Sequence, residues 1–157
     1  MLSNHLINYS TNEAIDYIIK FTAIEPNQLP IGIDIPVIDI VIETSTEFEN
    51  IKNSAYSLLQ ITKIIYEYAL INEAVYYFYC SNKSILKSKS KESFSNQEFR
   101  SLLFSRMFEK NNDKLFFNHK IEIIDLENGN HYIHLISKFE NIKTINLISE
   151  MIDEFQK

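Results

Sequence analysis

The side chains able to do chemistry are few in this chain, and their spacing limits what they can do. Only two of its 15 Lys and Arg residues are arginines, Arg100 and Arg106. Both fall in the stretch Ser95–Met107, which reads as a helix. At about 100° per residue, with Phe99 at zero, Arg100 lies near ~100° and Arg106 near ~340°. Leu102, Leu103, Met107, Phe104 and Phe108 flank them, and Ser101, Ser105, Glu98 and Glu109 fill the remaining gap. A guanidinium keeps its charge, so an arginine set among apolar neighbours needs a reason. It can lay its stem on apolar surface and send its head to water. It can pair with a core-edge carboxylate such as Asp16 or Asp39. Alternatively Arg100, with Lys83, Lys87, Lys89 and Lys91 of the preceding loop, can grip a phosphate or carboxylate in a bidentate fork. Arg100 and Arg106 are about 120° apart, so they need not share a ligand.

The other reactive types offer less. His131 and His134 are separated by an odd number of residues in a strand-like segment, which puts them on opposite faces and disfavours a shared metal. His119 and His134 can approach each other across a hairpin, but no third ligand is evident. Cys80 reads as a small buried hydrophobe at the end of an aromatic strand, because a nucleophilic thiol needs a base and an activating environment. Ser81 meets the same objection. Two glycines leave no phosphate-cradling loop. Asp34 and Asp39 lack a spacing that marks a glycosidase or metal pair. Tyr76, Tyr77 and Tyr79 have side chains able to stack on bases, yet at strand spacing they read as core. No catalytic residue, metal site or cofactor is expected.

These residues must be held by an α+β domain. Residues 6–10 and 14–23 read as a hairpin closed by Thr11-Asn12-Glu13, with Ile15, Tyr17, Ile19, Phe21 and Ala23 alternating against Asp16, Ile18, Lys20 and Thr22. Residues 25–36 hold all three prolines and form a loop. A strand over 37–43 follows. The Thr46/Glu49 capping box then starts a helix over 47–71, ended by Asn72. Its apolar face carries Leu58, Leu59, Thr62, Ile65, Tyr66 and Ala69. Residues 74–80 are apolar on both faces, as in a central strand. A Lys/Ser-rich surface loop spans 81–92. Ser95 and Glu98 form a second capping box for the arginine helix over 96–110. Strands over 115–126 and 131–139 flank Asn128-Gly129, a strong hairpin signal. Asn141 is expected to cap a final helix over 142–155 with Ile145, Ile148, Ile152 and Phe155 as its stripe. The order ββ-β-α-β-α-ββ-α predicts a mostly antiparallel sheet of about six strands with helices on one or both faces, in a single domain spanning 1–157, and disfavours a parallel Rossmann arrangement.

Composition narrows the classes further. One cysteine excludes an internal disulfide and suits a cytoplasmic compartment. The N-terminus lacks the pattern of a signal peptide. No apolar run reaches the roughly 18 residues of a membrane span. Net charge is −6. It is unevenly spread: residues 1–50 set eight acids against one lysine, whereas residues 83–110 set seven bases against three acids. An acidic chain is a poor non-specific binder of nucleic acid, though a basic island can attract an anionic ligand or an acidic surface.

Three segments resemble one family of small stand-alone bacterial proteins catalogued only as a domain of unknown function. They are the opening hairpin from Ile7 to Phe21, the aromatic strand ending Tyr79-Cys80-Ser81, and Arg100-Ser101-Leu102-Leu103-Phe104-Ser105-Arg106-Met107-Phe108. The last is similar to an Arg-x-x-x-Phe-x-x-Trp-Phe pattern, with Met107 at the Trp position. The resemblance implies an α+β fold and a bacterial origin, and assigns no chemistry.

The expected function is that of a non-enzymatic interaction protein holding a protein partner, for which a bacterial antitoxin, immunity or defence accessory role is the natural setting. The alternative is a sensor or enzyme for an anionic small molecule, such as a nucleotide, bound through Arg100 and Arg106.

Overall fold

The sheet is built by alternation. A computed structural model describes residues 4–11, 15–44, 55–81, 92–127 and 129–155. Its strands are β1 (His5–Ser10), β2 (Asp16–Ala23), β3 (Val37–Thr44), β4 (Val75–Tyr79), β5 (Phe117–Leu126) and β6 (Gly129–Lys138). Its helices are α1 (Ala55–Ile71), α2 (Asn96–Asn111) and α3 (Ile142–Phe155). The element order and the mixed, mostly antiparallel six-stranded sheet match the sequence expectation. Strand order is β1-β2-β3-β4-β6-β5. Among the described strands only β3 and β4 run parallel, and α1 lies in the long connection such a pair requires.

Period-two burial divides the sheet into two faces. Tyr17, Ile19, Phe21, Ile38, Ile40, Tyr76, Phe78 and Ile136 turn to one side and pack with Ile61, Ile65 and Ala69 of α1 and with Phe104 and Phe108 of α2. Val37, Val75, Ile133 and Leu135 turn to the other, under Ile145, Ile148 and Ile152 of α3, Leu29, Ile33 and Ile35 of the proline-rich loop, and Ile24 just before it. That loop is therefore a lid on the second core as well as a connection. No helix among the described residues is long and apolar enough to cross a membrane.

The local signals act as their chemistry dictates. The Ser95 hydroxyl accepts from the Glu98 backbone N–H, opening α2 as a capping residue should. The Asn72 amide and backbone N–H both donate to the Tyr68 carbonyl, closing α1. Thr11 closes the first hairpin through bonds between its backbone and hydroxyl and Ile15. Gly129 has φ +105 but is the first residue of β6 and pairs with Leu126, so the two-residue turn lies one residue before the expected Asn128-Gly129. Leu115 takes φ 54, which a branched side chain rarely adopts. The buried Asn112 amide clamps the turn by bonding both the N–H and the carbonyl of Phe117. Asn141 departs from expectation. It ends a 3-10 turn (Phe139–Asn141) that runs into α3, and its amide donates to Glu73 instead of capping. The Thr46/Glu49 box, Asn12, Glu13, Asn128 and the side chain of Phe155 lie outside the described residues.

Candidate functional site

The orientation of α2 decides which of its side chains can act. Its buried residues are Gln97, Ser101, Phe104, Met107 and Phe108. On the helical wheel this arc centres near ~160°, not on the leucines. Two polar residues thus face the sheet while Phe99, Leu102 and Leu103 are only half-buried. The reason lies across the interface. The Gln97 amide donates to the Asn130 carbonyl of β6, and Ser101 Oγ sits 2.9 Å from His134 Nε2. Gln97 and Ser101 have each found a partner, which removes most of the penalty of taking them out of water, whereas Ser105 of the same helix buries its Oγ with none among the described residues.

From Ser101 a continuous chain of hydrogen bonds runs to the surface. His134 Nδ1 lies 2.6 Å from His119 Nε2, and His119 Nδ1 lies 2.9 Å from Glu109 Oε1. The strand register explains the histidine contact. Ile121 pairs with His134 and Ile136 with His119, so the two imidazoles are diagonal neighbours on one face. The expected approach of His119 and His134 across the hairpin is therefore present, and His131 is on the opposite face. Glu109, one turn and a half along α2 from Phe104, supplies the outer end.

The direction of the protons follows from donor and acceptor chemistry. A carboxylate only accepts, so His119 carries its hydrogen on Nδ1 and donates to Glu109. His119 Nε2 is then an acceptor for His134 Nδ1–H, and His134 Nε2 accepts from the Ser101 hydroxyl. Every donor points toward Glu109. The relay is enclosed by Phe78, Phe104 and Phe108, all in ring contact with one or both imidazoles. Burial pushes the His134 imidazole down to about 3, helped by the neighbouring His119. Burial also lowers His119, against the opposing pull of its hydrogen bond to Glu109. Both rings are neutral at pH 7.

The arrangement resembles an activated serine in its bonding but not in its exposure. Ser101 is 4% exposed and His134 0%, so the hydroxyl faces protein and not substrate. Its chemistry is to lock α2 onto the β5–β6 hairpin and to penalise any added proton. Among the described residues, no group of three or more His, Cys, Asp or Glu side chains is placed to hold a metal ion.

The arginines separate. Arg100 is half-buried, and Nη1 donates to the Ser81 carbonyl at 2.8 Å, at the end of β4. Its head thus meets a backbone carbonyl, and burial weighs against its charge. It lies close enough to Cys80 to favour the thiolate, yet burial dominates and pushes that thiol up to about 12. Cys80 is a protonated core residue at neutral pH. Arg106 is exposed, in a shallow open depression lined by Ser105, Met107, Glu109 and Lys110. A single ligand held by both arginines would have to span two regions of the helix. Lys83, Lys87, Lys89 and Lys91 lie outside the described residues. Arg100→Ala removes a charge-assisted hydrogen bond together with stem packing and is expected to cost about 1.5–3 kcal/mol. Arg106→Ala should change stability by no more than about 0.5 kcal/mol. Urea denaturation at pH 7 separates the two, and equal losses would contradict this placement.

A second polar cluster sits on the α3 side. Lys120 Nζ donates to Ser149 Oγ at 2.6 Å and lies 3.1 Å from Glu122 Oε1, while the Ser149 hydroxyl donates to that carboxylate. On the same face the Tyr79 hydroxyl bonds His131 Nδ1. Sequence reasoning missed Ser101, Glu109, Ser149 and Glu122, because nothing in local spacing marks their partners. Comparison of the chain with protein-family models, with curated proteins and with solved structures finds no match.

Proposed function

We propose that the chain is a non-enzymatic interaction protein that meets a protein partner with the open part of its sheet. One observation carries this reading. On the face that bears α3, the helix packs on β5 and β6, and among the described residues no helix lies over β1 and β2. Strand register lays out that surface as two rows. Leu6 pairs with Lys20 and Lys20 with Val41; Asn8 pairs with Ile18 and Ile18 with Glu43. Leu6 is 62% exposed, and Tyr79 extends the surface at the end of β4.

An antiparallel sheet can leave one face to water, but that face is then ordinarily polar. Here apolar and charged side chains alternate on it. Asp16, Asp39 and Glu43 outnumber Lys20, which already pairs with Glu43 at 2.8 Å. Burial raises the Asp39 carboxyl. A partner with an apolar centre and a basic rim fits this surface, since complementary charge speeds encounter and rejects wrong partners. Neutralisation of one protein by another, as by an antitoxin, immunity or defence accessory protein, is the setting such a surface suits.

The test is affinity capture from the native host with the intact chain and with Leu6→Arg, which puts a cation on the acidic face at an exposed site. A partner retained by the intact chain and weakened at least tenfold by Leu6→Arg, with unchanged thermal unfolding, is the expected result. A chain that holds no macromolecule, or a partner held equally by Leu6→Arg, would overturn the proposal.

A further inference from the structure

We infer that β5 is a self-association edge, where two copies of this chain join across a two-fold axis into one continuous sheet. The strand has the attributes of an interface. It is one of two edge strands, and at 10 residues it is the longer, against 6 for β1. An edge presents unpaired backbone N–H and carbonyl groups along its length, a template for another strand. On the α1/α2 side it displays Ile121 at 40% exposure and Ile123 at 51%, beyond the cover of the helices. Two β-branched apolar side chains on the last strand of a sheet are costly to leave in water and well suited to cross-strand packing.

Charge identifies the occupant and the register. A two-fold axis perpendicular to the sheet places β5 antiparallel to its own copy and keeps each face continuous, so residues pair only with residues of the same face. Four central registers are available, centred on Lys120, Ile121, Glu122 and Ile123, and the last sets Glu122 opposite the second copy's Ile124 and so pairs no charges. One sets Lys120 opposite the second copy's Lys120, and another sets Glu122 opposite the second copy's Glu122. Like charges directly opposite are destabilising. The register between them centres on Ile121. It puts Lys120 opposite the second copy's Glu122, twice by symmetry, and Ile121 opposite itself. Ile123 then stands opposite the second copy's His119 and diagonal to its Ile121, so four isoleucines gather on the helix side. Within one copy Lys120 lies 3.1 Å from Glu122 with 46% of its side chain exposed against 11% for Glu122, so in each new pair a lysine reaches in to the second copy's largely buried carboxylate. A strand of a different protein has no reason to repeat this alternation in reverse, whereas a second copy does so by symmetry.

The surface is separate from the one over β1 and β2, at the opposite end of the strand order. The experiment is sedimentation equilibrium of the full chain from 1 to 100 μM, repeated with Ile121→Asp, alongside oxidative cross-linking of Ile121→Cys and Ile123→Cys. The intact chain should be dimeric at the upper concentrations. Ile121→Asp sets two carboxylates face to face at the axis and should weaken association at least tenfold, with its circular dichroism unchanged. Cysteine at 121 faces itself and should give a covalent dimer, while cysteine at 123 faces an imidazole and should not; the intact chain, whose Cys80 is buried, is the background. An intact chain that stays monomeric at 100 μM, a dimer that Ile121→Asp leaves intact, or equal cross-linking at 121 and 123 would each overturn the inference.

Discussion

Acidification from pH 6.5 to pH 4.5 is expected to destabilise this fold by about 3 kcal/mol, a drop of roughly 6–12 °C in melting temperature. The sign follows from the two buried imidazoles. Their pKa values are lowered on folding, from an ordinary 6.5 to about 3 for His134 and downward for His119. Below 6.5 the unfolded chain takes up protons that the folded chain refuses, so stability is full above that pH and is lost as pH falls toward the folded values. Each pH unit in that window costs up to about 1.4 kcal/mol per histidine that must stay neutral. His134 alone accounts for most of the loss, because its window extends to about 3.

A proton on His119 would also convert its Nε2 from acceptor to donor and set it against His134 Nδ1–H, so the penalty includes a broken bond inside an aromatic enclosure. Asp39 acts in the opposite sense. Its carboxyl is raised by burial, so it favours the folded state as pH falls. The control is therefore Ser101→Ala/His134→Leu, which removes the inner half of the relay and keeps the carboxylates. Calorimetric melting at pH 7.5, 6.5, 5.5 and 4.5 should give a steep fall for the intact chain and a shallower one for the double variant. A melting temperature that does not fall between pH 6.5 and 4.5 would contradict a relay of buried neutral histidines.

The largest single-residue effect is expected from Phe108→Ala, at about 3–5 kcal/mol. Phe108 is fully buried and touches Tyr66 of α1, Phe104 of its own helix, and Phe117 and His119 of β5. It is the point where α1, α2 and the hairpin meet. Its deletion leaves a cavity whose walls belong to different elements and cannot collapse together. It also opens one wall of the relay, so water should reach His119 and the pKa of that ring should rise toward its ordinary value. Guanidinium denaturation at pH 7 reads the first effect, and proton NMR titration of the imidazoles reads the second. A loss below about 1 kcal/mol would mean that Phe108 is not the keystone of this junction.

Much of the fold was legible from local pattern. Tyr17, Ile19 and Phe21 alternate strictly, and they line one face of β2. Ser95 stands three residues before Glu98, and it caps α2. The odd spacing of His131 and His134 puts them on opposite faces of β6. The approach of His119 and His134 across the hairpin was within reach, but their contact needed the register: a turn centred on Asn128-Gly129 would set His119 opposite Lys138, whereas the pairing of Leu126 with Gly129 sets it opposite Ile136 and diagonal to His134.

The phase of α2 was not legible. Its apolar residues nearly encircle it, so the wheel alone could not say which arc faces the sheet. Periodicity scores Ser101 and Gln97 as surface residues and treats Arg100 and Arg106 alike. Their actual fates depend on groups contributed from elsewhere in the chain: the His134 imidazole and Asn130 carbonyl on β6, and the Ser81 carbonyl after β4. What the amino-acid order determined is each element and its neighbours along the chain, because turns, caps and alternation act over a few residues. What tertiary structure alone decided is which polar side chains are taken inward, because the cost of burying one is cancelled only by a partner that folding brings to it.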